Sequence, residues 1–261
     1  MTNNFLKITM LALVIFAIAA SGCTGDQTGD TIEETEEIPL YYVGTEPTFP
    51  PFEYTDETGE IIGFDIDLIK AIAADQGFEV EIQPIGFDAL IPALQGGNID
   101  IAASGMTITE EREKEVDFSA PYINAGLALA VAADNDEILG VDDLQGKIAA
   151  VQVGTTGSMK AHELLDAGIL SEVKEFSTVD VVMMELISGG ADVVINDLPV
   201  TEAYIKQQPG KIKIVDDKLT SESYGFAVKE GNKELLDMIN TGLQNVIADG
   251  TYDELLAKYF G

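Results

Sequence analysis

The chain is almost without the residues on which most catalytic and metal chemistry depends. Its 261 residues include one cysteine, Cys23, one histidine, His162, and one arginine, Arg112. A single thiol closes no internal disulfide and builds no thiolate metal site. With a lone histidine besides, metal catalysis and a Ser-His-Asp hydrolase are excluded. His162 itself falls on a predicted helix, Thr156–Leu165, and reads as a surface or packed residue. No G-x-S-x-G, H-E-x-x-H, Walker loop or G-x-G-x-x-G occurs, so no metal and no cofactor is expected. Positive charge is equally scarce. Against 46 acidic residues stand 14 basic ones, a net charge of −32, which argues against nucleic acid and anionic membrane surfaces as partners. The same field repels an anionic ligand at long range, so any anion site has to be local and strongly built.

Only one long apolar run is present, Ile8–Ala20, preceded by Lys7. It is too short for a comfortable spanning helix and has the shape of a secretory h-region, so residues 1–22 are expected to be a signal peptide. Ala20-Ser21-Gly22-Cys23 resembles a lipobox, in which Cys23 becomes the lipidated first residue. An uncleaved N-terminal anchor is the alternative, and either places the folded part outside the membrane. Residues 23–38, rich in Gly, Thr, Asp, Glu and Gln, cannot bury a core and are expected to form a flexible acidic tether. Folding begins near Pro39, and the 46% hydrophobic content supports a well-buried core.

From there the pattern alternates. Strands are predicted at Leu40–Gly44, Phe78–Gln83, Ile99–Ser104 and Ala125–Ala132, with helices at Phe64–Gln76 and Asp88–Gln95. Asp65 is a candidate N-cap of the first helix. A second set follows, with strands at Ile148–Val153, Val173–Phe176, Ala191–Asn196 and Ile212–Val215. Its helices are Thr156–Leu165, Val179–Ser188 and Pro199–Gln207. The chain closes with a strand, Tyr224–Val228, a helix, Lys233–Asp249, and a last helix opened by a Thr251/Glu254 capping box. Repeated βαβ units with apolar strands imply an α/β fold with parallel-rich sheets covered on both faces. Leu94-x-x-Gly97-x-x-Asp100 is echoed by Leu186-x-x-Gly189-x-x-Asp192, each a helix end, a glycine stop and an Asp at the mouth of a buried strand. The echo fits two lobes of like construction: 39–121 with 225–261, and 127–219. The chain then crosses twice, at 122–126 and 220–224, and two crossings make a hinge over a cleft.

The groups that carry chemistry fall at the C-terminal ends of strands, where ligands sit in open α/β sheets. Ile99–Ser104 delivers Gly105, Thr107 and Arg112. A guanidinium grips a carboxylate bidentately where an ammonium cannot. The alternative is a solvated Arg112 among Glu110, Glu111, Glu113 and Glu115. Ile148–Val153 delivers Gly154-Thr155-Thr156-Gly157, a turn into a helix whose free N–H groups attract an anion. Ala191–Asn196 ends in Asp197, either an N-cap or a partner for an ammonium. One cation fork, one helix N-terminus and one carboxylate together suit a zwitterion.

At these residues the chain from Leu40 to Gly261 resembles the polar amino acid-binding proteins of ABC importers, solute-binding protein family 3. The resemblance is carried by GTEPTFPPFEY, GFDIDLIKAIA, FDALIPALQGGNIDIAASGMTITEEREKEVDFSAPY, LQGKIAAVQVGTTG and DGTYDELLAKYFG. It implies a two-lobed, type II periplasmic-binding-protein-like fold that delivers a free amino acid to a membrane permease from the outer face of the cell membrane. The chain is expected to work as a monomer and not as an enzyme. By resemblance, Arg112, Thr107 and the Thr156 backbone hold the ligand carboxylate, and Ser104 is counted among the ligand-binding residues. Asp197 and the Gly105 carbonyl hold its ammonium, and Phe49 and Phe87 sandwich its side chain. Glu46 stands where members that bind glutamine or basic amino acids usually carry Asp, and Gln152 reaches the same end. Each has an ordinary alternative: core aromatics for Phe49 and Phe87 (with the prolines around Phe49 favouring an exposed loop), and a solvated acid for Glu46. An acid at the side-chain end argues against glutamate or aspartate as ligand and for Gln, Arg, Lys or His. A cyclohexadienyl dehydratase-like enzyme on the same scaffold and a sensor domain with a separate partner are the competing readings.

Overall fold

Residues 38–216 and 219–261 are described by the structure, a computed structural model; the expected signal segment, Cys23 and most of the tether lie outside them. Two five-stranded sheets form the two lobes. The first runs in the order Glu79–Pro84, Leu40–Thr45, Ile101–Ala102, Ala227–Lys229, Val116–Phe118. The second runs Leu170–Phe176, Lys147–Gln152, Val193–Asp197, Leu127–Ala132, Ile212–Asp216. In both, the first three strands are parallel and the fourth is antiparallel to its neighbours. The sheets are therefore parallel-rich but mixed. The reason lies in how the fourth strand arrives: it comes from the other lobe and not through a helix, so it enters at the end where the parallel strands finish. Thus Leu127 pairs with Asp197, and Ala227 with Ala102.

The two crossings pair with each other. Ile123–Ala125 and Glu222–Tyr224 form an antiparallel ribbon, Tyr224 opposite Ile123 and Glu222 opposite Ala125. The sequence echo has a common cause. Asp100 and Tyr42 exchange hydrogen bonds, Asp100 N–H to Tyr42 O and Tyr42 N–H to Asp100 Oδ2, each at 2.8 Å. Asp192 and Ile148 repeat the exchange at 2.9 and 2.8 Å. Each Asp clamps the neighbouring strand at its first rung.

Helix Phe64–Gln76 lays Phe64, Ile66, Leu68, Ile69 and Ile72, all fully buried, into the first lobe. Burying each such side chain contributes roughly 1.5–3 kcal/mol. Helices Lys233–Ala248 and Thr251–Phe260 complete that core, and the Phe260 ring lies 5.3 Å from Phe52 and 5.5 Å from Phe64. Two helix starts differ from expectation. Gly63, not Asp65, caps the first helix. Gly63 has φ +141°, and a Cβ there would stand 2.0 Å from Phe52 O, so only glycine lets the helix start press so closely on Phe52–Glu53. Gly250, not Thr251, precedes the last helix, with no side-chain cap. The sequence pattern also missed the small hairpin sheet Thr48–Phe49, Glu53–Thr55 and Ile61–Ile62, whose strands are too short for a visible alternation.

Candidate ligand-binding cleft

The parallel strands of both sheets end on one pocket, at the strand ends where ligands sit in open α/β sheets. Every residue singled out from the sequence as ligand-facing lines it: Glu46, Phe49, Phe87, Ser104, Gly105, Thr107, Arg112, Gln152, Thr156 and Asp197, joined by Glu53 and Thr155.

Arg112 is not solvated among its glutamates; it is 5% exposed. Its Nη1–H donates to Thr107 O at 2.7 Å and its Nη2–H to Gly154 O at 3.0 Å. The guanidinium therefore spans from the first lobe to the second, 5.2 Å from the centre of the Phe87 ring. Five N–H donors on the fork leave some for a ligand. Burial pushes its pKa down, opposed by the negative charges of Asp197 and Glu222.

Beside the guanidinium lies the start of helix Thr156–Asp166, capped by Thr155 Oγ1 accepting from Ser158 N–H at 3.1 Å. The first backbone N–H groups of a helix have no partner within it, and Thr155 and Thr156 at this start line the pocket together with Arg112. The hydroxyls of Thr107 and Thr156 both donate to Glu222 Oε2, each at 2.8 Å. Glu222 Oε1 accepts from Thr220 Oγ1 at 2.7 Å. One carboxylate on the crossing ribbon thus holds hydroxyls from both lobes.

Asp197, which also lines the pocket, occupies the N-cap position of helix Leu198–Gln207, but its side chain makes no capping bond. Its Oδ1 accepts from the Tyr224 hydroxyl instead. Burial pushes this carboxyl up to about 7, against the lowering effect of the Tyr224 bond. Ser104 Oγ accepts from Glu46 N–H and donates to Glu53 Oε1, both at 3.0 Å. Gly105 has φ +49°, and a Cβ there would lie 2.6 Å from the Phe49 ring. Only glycine lets the ring close over this step of the backbone.

Glu46 is not a solvated acid either, being 4% exposed. Its Oε2 accepts from Thr48 Oγ1 at 2.7 Å and from Gln152 Nε2 at 3.0 Å. Burial raises its pKa, partly offset by these bonds. Phe49 sits not on an exposed loop but on the short strand Thr48–Phe49, 7% exposed, its ring 5.9 Å from Phe52. Sequence reasoning passed over Glu53, Tyr224 and Glu222. Glu53 carried one usable signal, a lone acid in the otherwise apolar run Phe49–Tyr54.

The family model for bacterial extracellular solute-binding proteins, family 3, matches residues 41–261. A probable histidine-binding protein of Neisseria gonorrhoeae is 34% identical over 263 residues, covering 98% of this chain and 96% of that protein. ABC transporter arginine-binding protein 1 of Escherichia coli K12 is 33% identical over 258 residues, covering 96% of this chain and 99% of its own length. Among solved structures, an ancestral arginine-binding protein bound to arginine is 49% identical, with a TM-score of 0.81 over 85% of this chain and 98% of its own. A structure with glutamine bound also scores 0.81, at 48% identity over 86% of this chain and 99% of its own.

Proposed function

Because the chain belongs to family 3 of the bacterial extracellular solute-binding proteins, we propose that its cleft captures a free basic amino acid, arginine or histidine foremost, for an ABC importer. The observation that carries this is the charge layout of the pocket, one buried cation fork facing three acids, Asp197, Glu46 and Glu53. An amino acid's carboxylate on Arg112 and its ammonium on Asp197 cancel one charge of each sign. Glu46 is left at the side-chain end, where a guanidinium or imidazolium satisfies it and a second carboxylate is repelled. The names of the relatives, histidine- and arginine-binding, agree with that layout, and they are names of binding proteins, not of enzymes. Charge-assisted hydrogen bonds contribute roughly 1.5–3 kcal/mol each, so three to five of them in a closed cleft support micromolar or tighter binding without catalysis.

In this reading Phe49 and Phe87 flank the side chain, and the ribbon of Ile123–Ala125 with Glu222–Tyr224 is the hinge. Cys23 anchors the protein to the outer face of the membrane, where a permease collects the ligand. A thermal-shift screen of the twenty amino acids and prephenate tests it. Ligand in large excess over its Kd stabilises the fold by several kcal/mol. A rise in melting temperature confined to basic amino acids and glutamine supports the proposal. A rise with prephenate alone points to a dehydratase-like enzyme, and no rise with any amino acid overturns the reading.

A further inference from the structure

A further pair of acids adjoins the cleft, one of which, Glu53, itself lines it. Glu53 opens strand Glu53–Thr55 and Asp65 sits in the first turn of helix Phe64–Gln76, and both are 0% exposed. They are pinned to successive residues. Ser104 Oγ donates to Glu53 Oε1 at 3.0 Å, and Gly105 N–H donates to Asp65 Oδ2 at 2.8 Å. The Tyr122 hydroxyl also donates to Asp65 Oδ2, at 2.6 Å. The other oxygen of each acid, Glu53 Oε2 and Asp65 Oδ1, is buried with no hydrogen-bond partner among the described residues. Pinned to successive residues and without donors for these oxygens, the two carboxylates ionise together only at high cost.

We propose that Glu53 and Asp65 are positioning residues for the ligand's ammonium: they hold a single proton between Glu53 Oε2 and Asp65 Oδ1, and the one negative charge they keep fixes Ser104 as an acceptor toward the cleft. Ser104 has one hydroxyl hydrogen, and Glu53 takes it. A lone pair is then what the pocket sees of this serine, which suits an ammonium and disfavours a carboxylate. Burial raises both carboxyls, Asp65 to about 7, and the charge of Asp65 adds to the cost of ionising Glu53. The other titratable groups around the pair are Glu46 and Asp197 from the cleft, Tyr122 and Tyr224 from the crossings, and Tyr252 from the last helix. None of them is a cation that would let both acids ionise.

The inference rests on the ammonium placement proposed above, and the test separates the two. Infrared spectra of the full-length, ligand-free protein near neutral pH are expected to show a protonated-carboxyl band. The band survives in D197N, which removes the contribution of Asp197, and falls by one carboxyl in E53Q and in D65N. In E53Q the new amide donates where the proton was, so the fold is kept. A D197N protein with no protonated-carboxyl band overturns the proposal, even if both pair variants fail to fold and even if no amino acid binds. With arginine as the probe, D65N leaves the charge on Glu53 and costs less affinity than E53Q. E53Q moves the charge away and weakens binding about ten-fold. Equal losses in the two variants would reduce the pair to a structural role and overturn the proposal.

Discussion

Gln152 donates from Nε2 to Glu46 Oε2 at 3.0 Å, tying together two residues 106 positions apart that stand at the ends of strands in different sheets. The bond satisfies a buried carboxylate from the far lobe, and in the function proposed above Glu46 meets the ligand's side chain. E46Q removes the charge and keeps the shape. Basic amino acids are then expected to bind about 10–100-fold more weakly while glutamine changes little. Competition calorimetry with arginine and glutamine reads this directly, and equal losses for both would place Glu46 outside side-chain recognition.

Arg112→Lys keeps the charge and discards the fork. Lysine cannot bond Thr107 O and Gly154 O while also gripping a carboxylate bidentately. Affinity for every amino acid ligand is expected to fall at least about a hundred-fold, with fold stability altered far less. An unchanged Kd by titration calorimetry would remove Arg112 from the site.

Gly105→Ala puts a Cβ at φ +49°, 2.6 Å from the Phe49 ring. Overpacking of this kind costs roughly 1–3 kcal/mol, and the ring has to swing into the pocket. Both the melting temperature and the affinity are expected to drop. A variant as stable and as tight-binding as the parent would mean that Phe49 is free to move aside.

Burial raises Asp65 and Asp197 from the ordinary 3.8 to about 7. Between those values the folded state holds protons that the unfolded chain has lost, so stability falls as pH rises through the window. The self-repulsion of a −32 chain acts in the same direction. The ligand-free protein is expected to melt several degrees higher at about pH 5 than at about pH 8. D197N narrows that gap, and bound arginine narrows it further by placing an ammonium on Asp197. Scanning calorimetry across the range decides it; a melting temperature that climbs with pH contradicts the burial of these acids.

What the sequence showed best was whatever is local or unique. Arg112 stood out because no other arginine competes with it. The Asp100 and Asp192 cassettes were visible because each helix end, glycine and clamp lies within one short segment. Glu222 was lost among 46 acidic residues, Asp65 was read only as a helix cap, and the one signal of Glu53, its apolar neighbours, went unused. Tyr224 reaches Asp197 from the second crossing, and Glu222 reaches Thr107 from 115 positions away. Such contacts leave no period to read. The antiparallel fourth strands escaped notice for a related reason: their direction is set by which lobe the chain has just left.

That routing also sets an order of assembly. The second sheet takes all its strands from Leu127 to Asp216, so it can close soon after that stretch leaves the ribosome or the export channel. The first sheet begins at Leu40 yet waits for Ala227–Lys229 to fill the place between Ile101–Ala102 and Val116–Phe118. Its core waits longer still, for Phe260. The half of the protein made first is the half finished last, and until then its apolar strands are exposed to whatever chaperone or neighbouring chain meets them.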